Sequence, residues 1–572
     1  MESFGGKRSS MKESLDEKDS KMRVIGLRIV DNPFLLLQLD QEQIRWICID
    51  SCHILGNEND DFLKSIYMTI LYHIAFREDI SLEECWQIYW NLTRVTFVNS
   101  RLRFLCRDGS LKDRMSEKKD GIRQSESKAG SDDPSYDITD EKALKRIKAS
   151  ENYVRLSAIY SHIYDFVESN IDFSRMPYRN AEERNEDRIV LVTSQFLNIG
   201  HAPTQRVLDY AYILQHELKK KVIIINDGGM HFYRNEHLGG VAAFNFLEEY
   251  NDLESFEYKG EVLGFIQIHQ LMPDLPTLQE ACEMIYELNP GLVFNVGGSS
   301  LLTDLCTKFV TTASMPCRVE YPVSRSEYLL VARPISEDEA ECRTKQVYQK
   351  IIETNFNYIY RKSDKVYTRK EFGIPEDAFL CMMVGYRIGQ ETDTAFLDLL
   401  MNAYYSFSDE QDLQTNVGED FQTTVADAET FFKDYYFVFV GVVEEEDKKR
   451  ILDSFPARMQ EKVVFTGLLK DASEFIRLGN LFLNPDRNGG GRAAFESLHF
   501  GIPVVTLRNG DVYYVAGDEF GAENYEDYVS IIGRYFSDKS FYKEKSEKAF
   551  ARAKILEDMT GTLKKALDDI TK

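Results

Sequence analysis

From about Arg188 onward the chain alternates short apolar runs with amphipathic stretches, in two successive sets. Ile189–Thr193 reads as a buried strand, followed by a turn at Asn198-Ile199-Gly200-His201. An amphipathic helix carrying Leu208, Ala211, Tyr212 and Leu214 comes next, then a second strand over Val222–Ile225. Parallel strands need such helical crossovers, so this is a strand–helix–strand unit. Phe265–Ile268 suits a further strand, and Leu292–Val296 another that ends at Gly297-Gly298-Ser299-Ser300. The second set opens at Phe379–Val384 and continues through Tyr436–Val440, Val463–Phe465, Leu481–Leu483 and Val504–Leu507. Helices are predicted between them over Phe396–Tyr405, Asp447–Leu452, Ala472–Leu478 and Ala493–Phe500. Three more, over Glu526–Tyr535, Phe541–Ile555 and Thr560–Ile570, close the chain. Two such sets predict two α/β domains facing each other across a cleft, with ligands outside the carboxyl ends of the strands.

The first part of the chain has a different texture. Residues 1–22 are polar and read as a disordered tail. Arg23–Asp40 alternates apolar and polar residues around Asp31-Asn32-Pro33, which suits a short hairpin. From Gln41 to about Cys106 the period is helical: Phe62, Ile66, Ile70 and Ile74 share one face. Ser81 with Glu84 makes a capping box for another helix, whose aromatics Trp86, Tyr89 and Trp90 read as core. Arg107–Glu141 is rich in Lys, Asp, Ser and Gly and suits a flexible linker. Helical pattern then runs to about Asn170.

Composition sets outer bounds. With 572 residues the chain holds more than one domain, and its net charge of −25 excludes a general nucleic-acid or anionic-membrane binder. No apolar run reaches the roughly 18 residues of a membrane span, and Met1–Arg23 lacks a hydrophobic signal core. The nine cysteines include no C-x-x-C pair, which fits reduced thiols in a cytoplasm. Cys48 and Cys52, one helical turn apart, read as packing residues, and no cluster suggests a metal.

The segment with most chemical content is Asn484-Pro485-Asp486-Arg487-Asn488-Gly489-Gly490-Gly491-Arg492-Ala493-Ala494-Phe495-Glu496, followed by Gly501-Ile502-Pro503-Val504-Val505. It reads as strand, glycine loop, helix. Glycines let backbone amides approach a ligand, and a helix start presents free N–H groups and a positive dipole end. Arg492 adds a fixed charge there, and Glu496, one turn on, can accept from sugar hydroxyls. Such a site suits a phosphate attached to something polyhydroxylated. Neither the P-loop nor the G-x-G-x-x-G fingerprint is present.

This block resembles the donor-binding segment of GT-B fold glycosyltransferases, where a loop-helix carries a Glu, then a small residue, Gly, x, Pro and a buried strand. The resemblance covers roughly residues 188–572. It implies two Rossmann-like domains behind a mostly α-helical N-terminal region, and a nucleotide-diphosphate sugar, a UDP-sugar being favoured, as co-substrate. It assigns Glu496 to the ribose, and Asn488 with Gly489, Gly490 and Gly491 to the sugar and phosphates. Asn488 stands where the large retaining branch has a second Glu, so retaining or inverting stereochemistry stays open. Arg387, in Val384-Gly385-Tyr386-Arg387-Ile388, matches a strand-end arginine that reaches the donor phosphates, although Gly389-Gln390-Glu391 stands where a Lys is expected. Leu468 and Leu469, after Phe465-Thr466-Gly467, fall where the family packs the nucleotide base. His201 matches the catalytic base of a Gly-His-x-x-Pro loop, with Pro203 one position early. Gly297 and Gly298 are candidate acceptor contacts. The helical N-terminal region is also similar to that of protein-modifying glycosyltransferases.

The expected organisation is therefore a tail (1–22), a mostly helical accessory region (23–106), a linker (107–141) and a helical lead-in (142–187). An acceptor domain (188–365) and a donor domain (366–572) with a terminal crossing helix follow. The expected activity is metal-independent transfer of a hexosyl or N-acetylhexosaminyl group to a polypeptide or glycan. Two rivals stay open: a non-catalytic subunit of this fold that stabilises a catalytic partner, and a sugar-nucleotide epimerase. Homo- or hetero-oligomerisation is open as well.

Overall fold

The computed structural model describes residues 25–57, 60–99, 101–107, 144–146, 149–239, 246–318, 322–334, 349–407 and 434–571. The tail over 1–22 and nearly all of the linker over 107–141 fall outside them. The described residues form two compact units: one runs from 25 to 351, and the other takes 318, 330–334 and 352–571.

The first unit begins with helix. Residues 25–31 are helical, not the expected hairpin. Leu27 and Val30, three apart, are both buried, and Gly26 lets the backbone close on Ile66, whose Cγ2 lies 2.5 Å from where a Cβ would stand. Pro33 then ends the helix, because the residue before a proline is pushed out of the α region. Helices α1 (Gln41–Asn57), α2 (Asp61–Ile74), α3 (Leu82–Val98) and α4 (Ala149–Ser169) follow. The Ser81/Glu84 capping box is formed at the start of α3.

The unit's sheet contains β1 (Asn185–Thr193), β2 (Lys221–Asn226), β3 (Ser255–Tyr258), β4 (Glu261–Gln267), β5 (Pro290–Val296), β6 (Thr312–Met315), β7 (Tyr328–Val331) and β8 (Lys350–Glu353). Their order is β8-β7-β6-β5-β1-β2-β4-β3, with β3 antiparallel at one edge. Val190–Val192 of β1 are buried at consecutive positions, as expected of a parallel strand covered on both faces. Helices α5 (Ala202–Tyr212), α6 (Leu275–Leu288) and α7 (Leu301–Cys306) lie between strands. Strand order reverses beside β1: the chain adds β2 and β4 on one side, then returns to add β5 and β6 on the other. Side chains of α1–α4 and of this α/β layer share one continuous core that includes Trp86, Ile163, Val190 and Leu302.

The second unit has a six-stranded sheet of β9 (Ala378–Val384), β10 (Asp434–Val440), β11 (Val463–Gly467), β12 (Leu481–Leu483), β13 (Val504–Leu507) and β14 (Gly521–Ala522). Every pairing is parallel, and the order is β11-β10-β9-β12-β13-β14. Numbered within the unit this is 3-2-1-4-5-6, the doubly wound dinucleotide-binding order, with its switch point between β9 and β12. Helices α8 (Thr394–Phe407), α9 (Glu445–Asp453), α10 (Ala472–Ile476), α11 (Gly491–His499) and α12 (Gly510–Ala516) alternate with the strands. Helices α13 (Tyr525–Ser537), α14 (Lys539–Glu557) and α15 (Met559–Thr571) end the chain. The architecture is thus α/β with two largely parallel, Rossmann-like sheets behind a helical N-terminal region.

Candidate functional site

In the second unit, the loops after β9 and β12 flank the switch point, where open α/β sheets bind ligands. The β12 loop runs through the glycines into α11. Gly489 and Gly490 have φ of 95° and 83°, the left-handed region that side chains disfavour. Gly490 caps α11, so the first N–H groups of the helix have no intrahelical acceptor.

Beneath this loop lies Arg487, only 4% exposed. Its Nε donates to Asn484 Oδ1 at 2.9 Å, one terminal nitrogen to the Val384 carbonyl at 2.7 Å, and the other to Glu391 Oε2 at 2.6 Å. A Cβ on Gly490 would come within 2.8 Å of this guanidinium, and one on Gly385 would collide with it outright. The glycines on both sides of the switch point therefore make room for one arginine.

Glu391 divides its carboxylate. Oε2 holds Arg487, and Oε1 accepts from Arg387 at 2.7 Å, across one turn of a short helix over Ile388–Glu391. Arg387 remains partly exposed, and its guanidinium lies 3.9 Å from the Cβ position of Gly489. The strand-end arginine and the glycine loop are thus brought together. Two guanidinium groups thus share one carboxylate beside the start of α11, and arginines at a helix start suit an anion.

On α11, Arg492 Nε pairs with Glu496 Oε1 at 3.1 Å. Burial pushes the Glu496 carboxyl above its ordinary range, and Arg492 partly opposes that. The segment of the second unit that precedes β9 lays two tyrosines along this helix. Tyr358 stacks on Phe495 with ring centres 5.0 Å apart, and its hydroxyl lies 2.9 Å from the Cβ position of Gly491. Tyr360 stacks on His499 at 4.1 Å and donates to buried Glu474 at 2.8 Å. Asn488 lies near Gly510, whose Cβ position is 3.7 Å from its Oδ1. Leu468, 68% exposed, and half-buried Leu469 follow β11 on the same sheet edge, two strands from Arg387.

The remaining candidates belong to the first unit. His201 precedes α5 after β1, and Gly297 and Gly298 follow β5, the neighbouring strand. His201 Nδ1 lies 2.9 Å from the Thr204 hydroxyl, and burial pushes its pKa down to about 4, so the ring is neutral at physiological pH. Gly297 has φ of 142°. A Cβ on Gly298 would stand 2.8 Å from the ring of Trp90.

Other α3 side chains reach the same strand ends. Trp86 Nε1 donates to the Gly229 carbonyl at 2.9 Å, and the Tyr89 and Ser299 hydroxyls are 2.5 Å apart. Below them, Asp227 accepts from Ser300 Oγ at 2.5 Å and from the Gly229 amide at 2.9 Å. Burial raises its pKa to about 7. Asp304 accepts from Tyr160 at 2.5 Å and from Ser324 at 2.5 Å. The helical region is therefore hydrogen-bonded to the carboxyl ends of this sheet.

Arg487, Tyr358, Tyr360 and Asp227 do not follow from the sequence reading. Arg487 is legible only as one more charge beside a glycine loop, because two of its three partners lie 96 and 103 residues away. Among the described residues no group of three or more His, Cys, Asp or Glu is placed to hold a metal, and no helix is long and apolar enough to cross a membrane.

No family model and no curated protein matches the chain. Solved structures do match at low identity. A glycosyltransferase from Rickettsia africae ESF-5 is 12% identical over 68% of this chain and 99% of its own, with a TM-score of 0.45. An O-GlcNAc transferase mutant from Thermobaculum terrenum is 11% identical over 91% of each chain, with a TM-score of 0.48. Anabaena Alr3699/HepE in complex with UDP and glucose is 12% identical over 67% of this chain and 99% of its own, with a TM-score of 0.41.

Proposed function

We propose that the chain is a glycosyltransferase that moves a hexosyl or N-acetylhexosaminyl group from a nucleotide-diphosphate sugar, UDP-linked by preference, to a polypeptide or glycan. The observation that carries this reading is the glycine-rich start of α11 at the second unit's switch point, with Arg387 beside it. Transfer breaks the bond between the anomeric carbon and the diphosphate, and the leaving group keeps the electron pair. The same carbon bonds to the acceptor's nucleophilic atom, whose proton goes to a base. Charge grows on the diphosphate, and donors fixed in advance at that point lower the barrier.

In this reading Arg387, Arg492 and the amides at Gly489, Gly490 and Gly491 take the diphosphate. Glu496 takes the ribose, Asn488 the sugar, and Leu468 and Leu469 the base. His201 receives the acceptor proton, and Gly297 and Gly298 line the acceptor's place. No metal is required, because arginine and the helix start supply the positive charge. Free cysteines at Cys48, Cys52, Cys85, Cys282, Cys306, Cys317 and Cys381 support a cytoplasmic setting. A second reading is a non-catalytic subunit that stabilises a catalytic partner. What favours it is that Arg387 already pairs with Glu391, and Arg492 with Glu496.

A thermal-shift screen against UDP, GDP, ADP, CMP and their common sugars, with and without EDTA, tests this. A ligand at about 100 times its dissociation constant adds about 2.7 kcal/mol of stability. The expected result is a shift with one nucleotide family, indifferent to EDTA. No shift with any of them favours the subunit.

A further inference from the structure

We infer that Arg487 and Glu391 are positioning residues of the proposed donor site, acting through Arg387 and the glycine loop. The inference rests on the reading above. Arg487 ties three separate pieces of chain together: the last residue of β9, the first residue after β12, and the helical turn bearing Glu391. Glu391 in turn fixes Arg387, which follows β9 in the same loop. The side-chain exposures of Arg487 and Glu391 are 3% and 7%, whereas Arg387 is exposed to 26%. One arginine is thus enclosed and the other presented, with a single carboxylate setting the distance between them. The guanidinium of Arg487 also fills the space under Gly385 and Gly490, so it sets the height of both loops. A planar fork with three separate acceptors is a role that the point charge of lysine does not fill.

Charge alone predicts the opposite of positioning, and this makes the inference testable. Glu391→Gln removes a negative charge beside Arg387. If Glu391 acted only as a counter-ion, the variant would bind UDP more tightly. If it positions Arg387, UDP binding weakens and turnover falls. Calorimetric titration with UDP and steady-state transfer from the UDP-sugar that the screen selects would be measured on the full chain. The parent, Glu391→Gln, Arg487→Lys and the double variant Glu391→Gln/Arg487→Met would be compared. The double variant removes both enclosed charges together, so it preserves the test if a single variant does not fold.

The expected result is a kcat loss of about 100-fold in each folded variant, the scale of a misplacement of about 1 Å, with weakened UDP binding in Glu391→Gln. Parent-like kcat in a folded double variant, or tighter UDP binding in Glu391→Gln, overturns the inference and leaves the proposed function standing. A parent chain that binds no nucleotide overturns the proposed function, and the inference with it.

Discussion

Arg492 and Asp227 show how differently single residues can be put to work. Arg492 stands in the first turn of α11, on Glu496. Arg492→Ala should lower turnover about 100-fold or more while circular dichroism stays that of the parent, because a donor fixed toward growing charge outweighs a surface ion pair. Near-parent turnover would remove Arg492 from the proposed phosphate site. Asp227 sits in the first unit with its folded pKa raised to about 7, against an ordinary 3.8. A raised carboxyl stabilises the fold while it is protonated, and that contribution is lost as pH rises from about 4 to 7. Asp227→Asn keeps the shape and does not titrate. Its stability should fall less than the parent's across that window, by up to about 1.4 kcal/mol per pH unit. Denaturant titrations at pH 5 and pH 7 would check this, and parallel curves would refute it. His201 carries the opposite shift, down to about 4. If it is the base, the acid limb of kcat/KM should lie near pH 4, and a limb near 6.5 would point to another group.

At the scale of elements, most of the α/β frame is legible from hydrophobic runs. The strand expected over 481–483 is β12 to the residue, and those expected over 379–384 and 436–440 sit inside β9 and β10. Enclosed parallel strands are continuous apolar runs between glycine turns, so burial writes them into the sequence. Residues 312–315, Thr-Ala-Ser-Met, escape notice because they are small or polar apart from Met315, yet all four are buried as β6. The helix over 25–31 was obscured because its partner, Ile66, lies 40 residues on. The candidate site divides the same way: glycines and exposed arginines are visible, whereas an enclosed pair such as Arg487 and Glu391 needs the topology. Gly490→Ala tests the loop. A left-handed alanine costs about 1–2 kcal/mol, and its Cβ would also press on Arg487. The melting point should fall, and UDP affinity should fall with it; an unchanged affinity would detach the loop conformation from binding.

For the molecule as a whole, the helical region is not an appendage. Its side chains complete the first unit's core and hydrogen-bond to loops after β2 and β5, and the second of these loops accepts in turn from Ser194, which follows β1. A chain beginning at residue 185 should therefore be insoluble, where a detachable module would leave a stable α/β protein. Trp86→Ala in the full chain should cost about 3–5 kcal/mol, read by denaturant unfolding. A loss under about 1 kcal/mol would make the region peripheral.

That dependence has a cost in time during synthesis. Tyr89 waits 210 residues for Ser299, and Trp86 waits 143 for Gly229. At about 5–20 residues per second, the longer wait is roughly 10–40 s. Throughout it the nascent chain carries an aromatic helix face whose cover is incomplete, since Tyr160 and Gly229 are translated on the way but Ser299 comes last. A product cut short before residue 299 has that face only partly covered, which makes such truncations natural clients of chaperones that bind apolar surface.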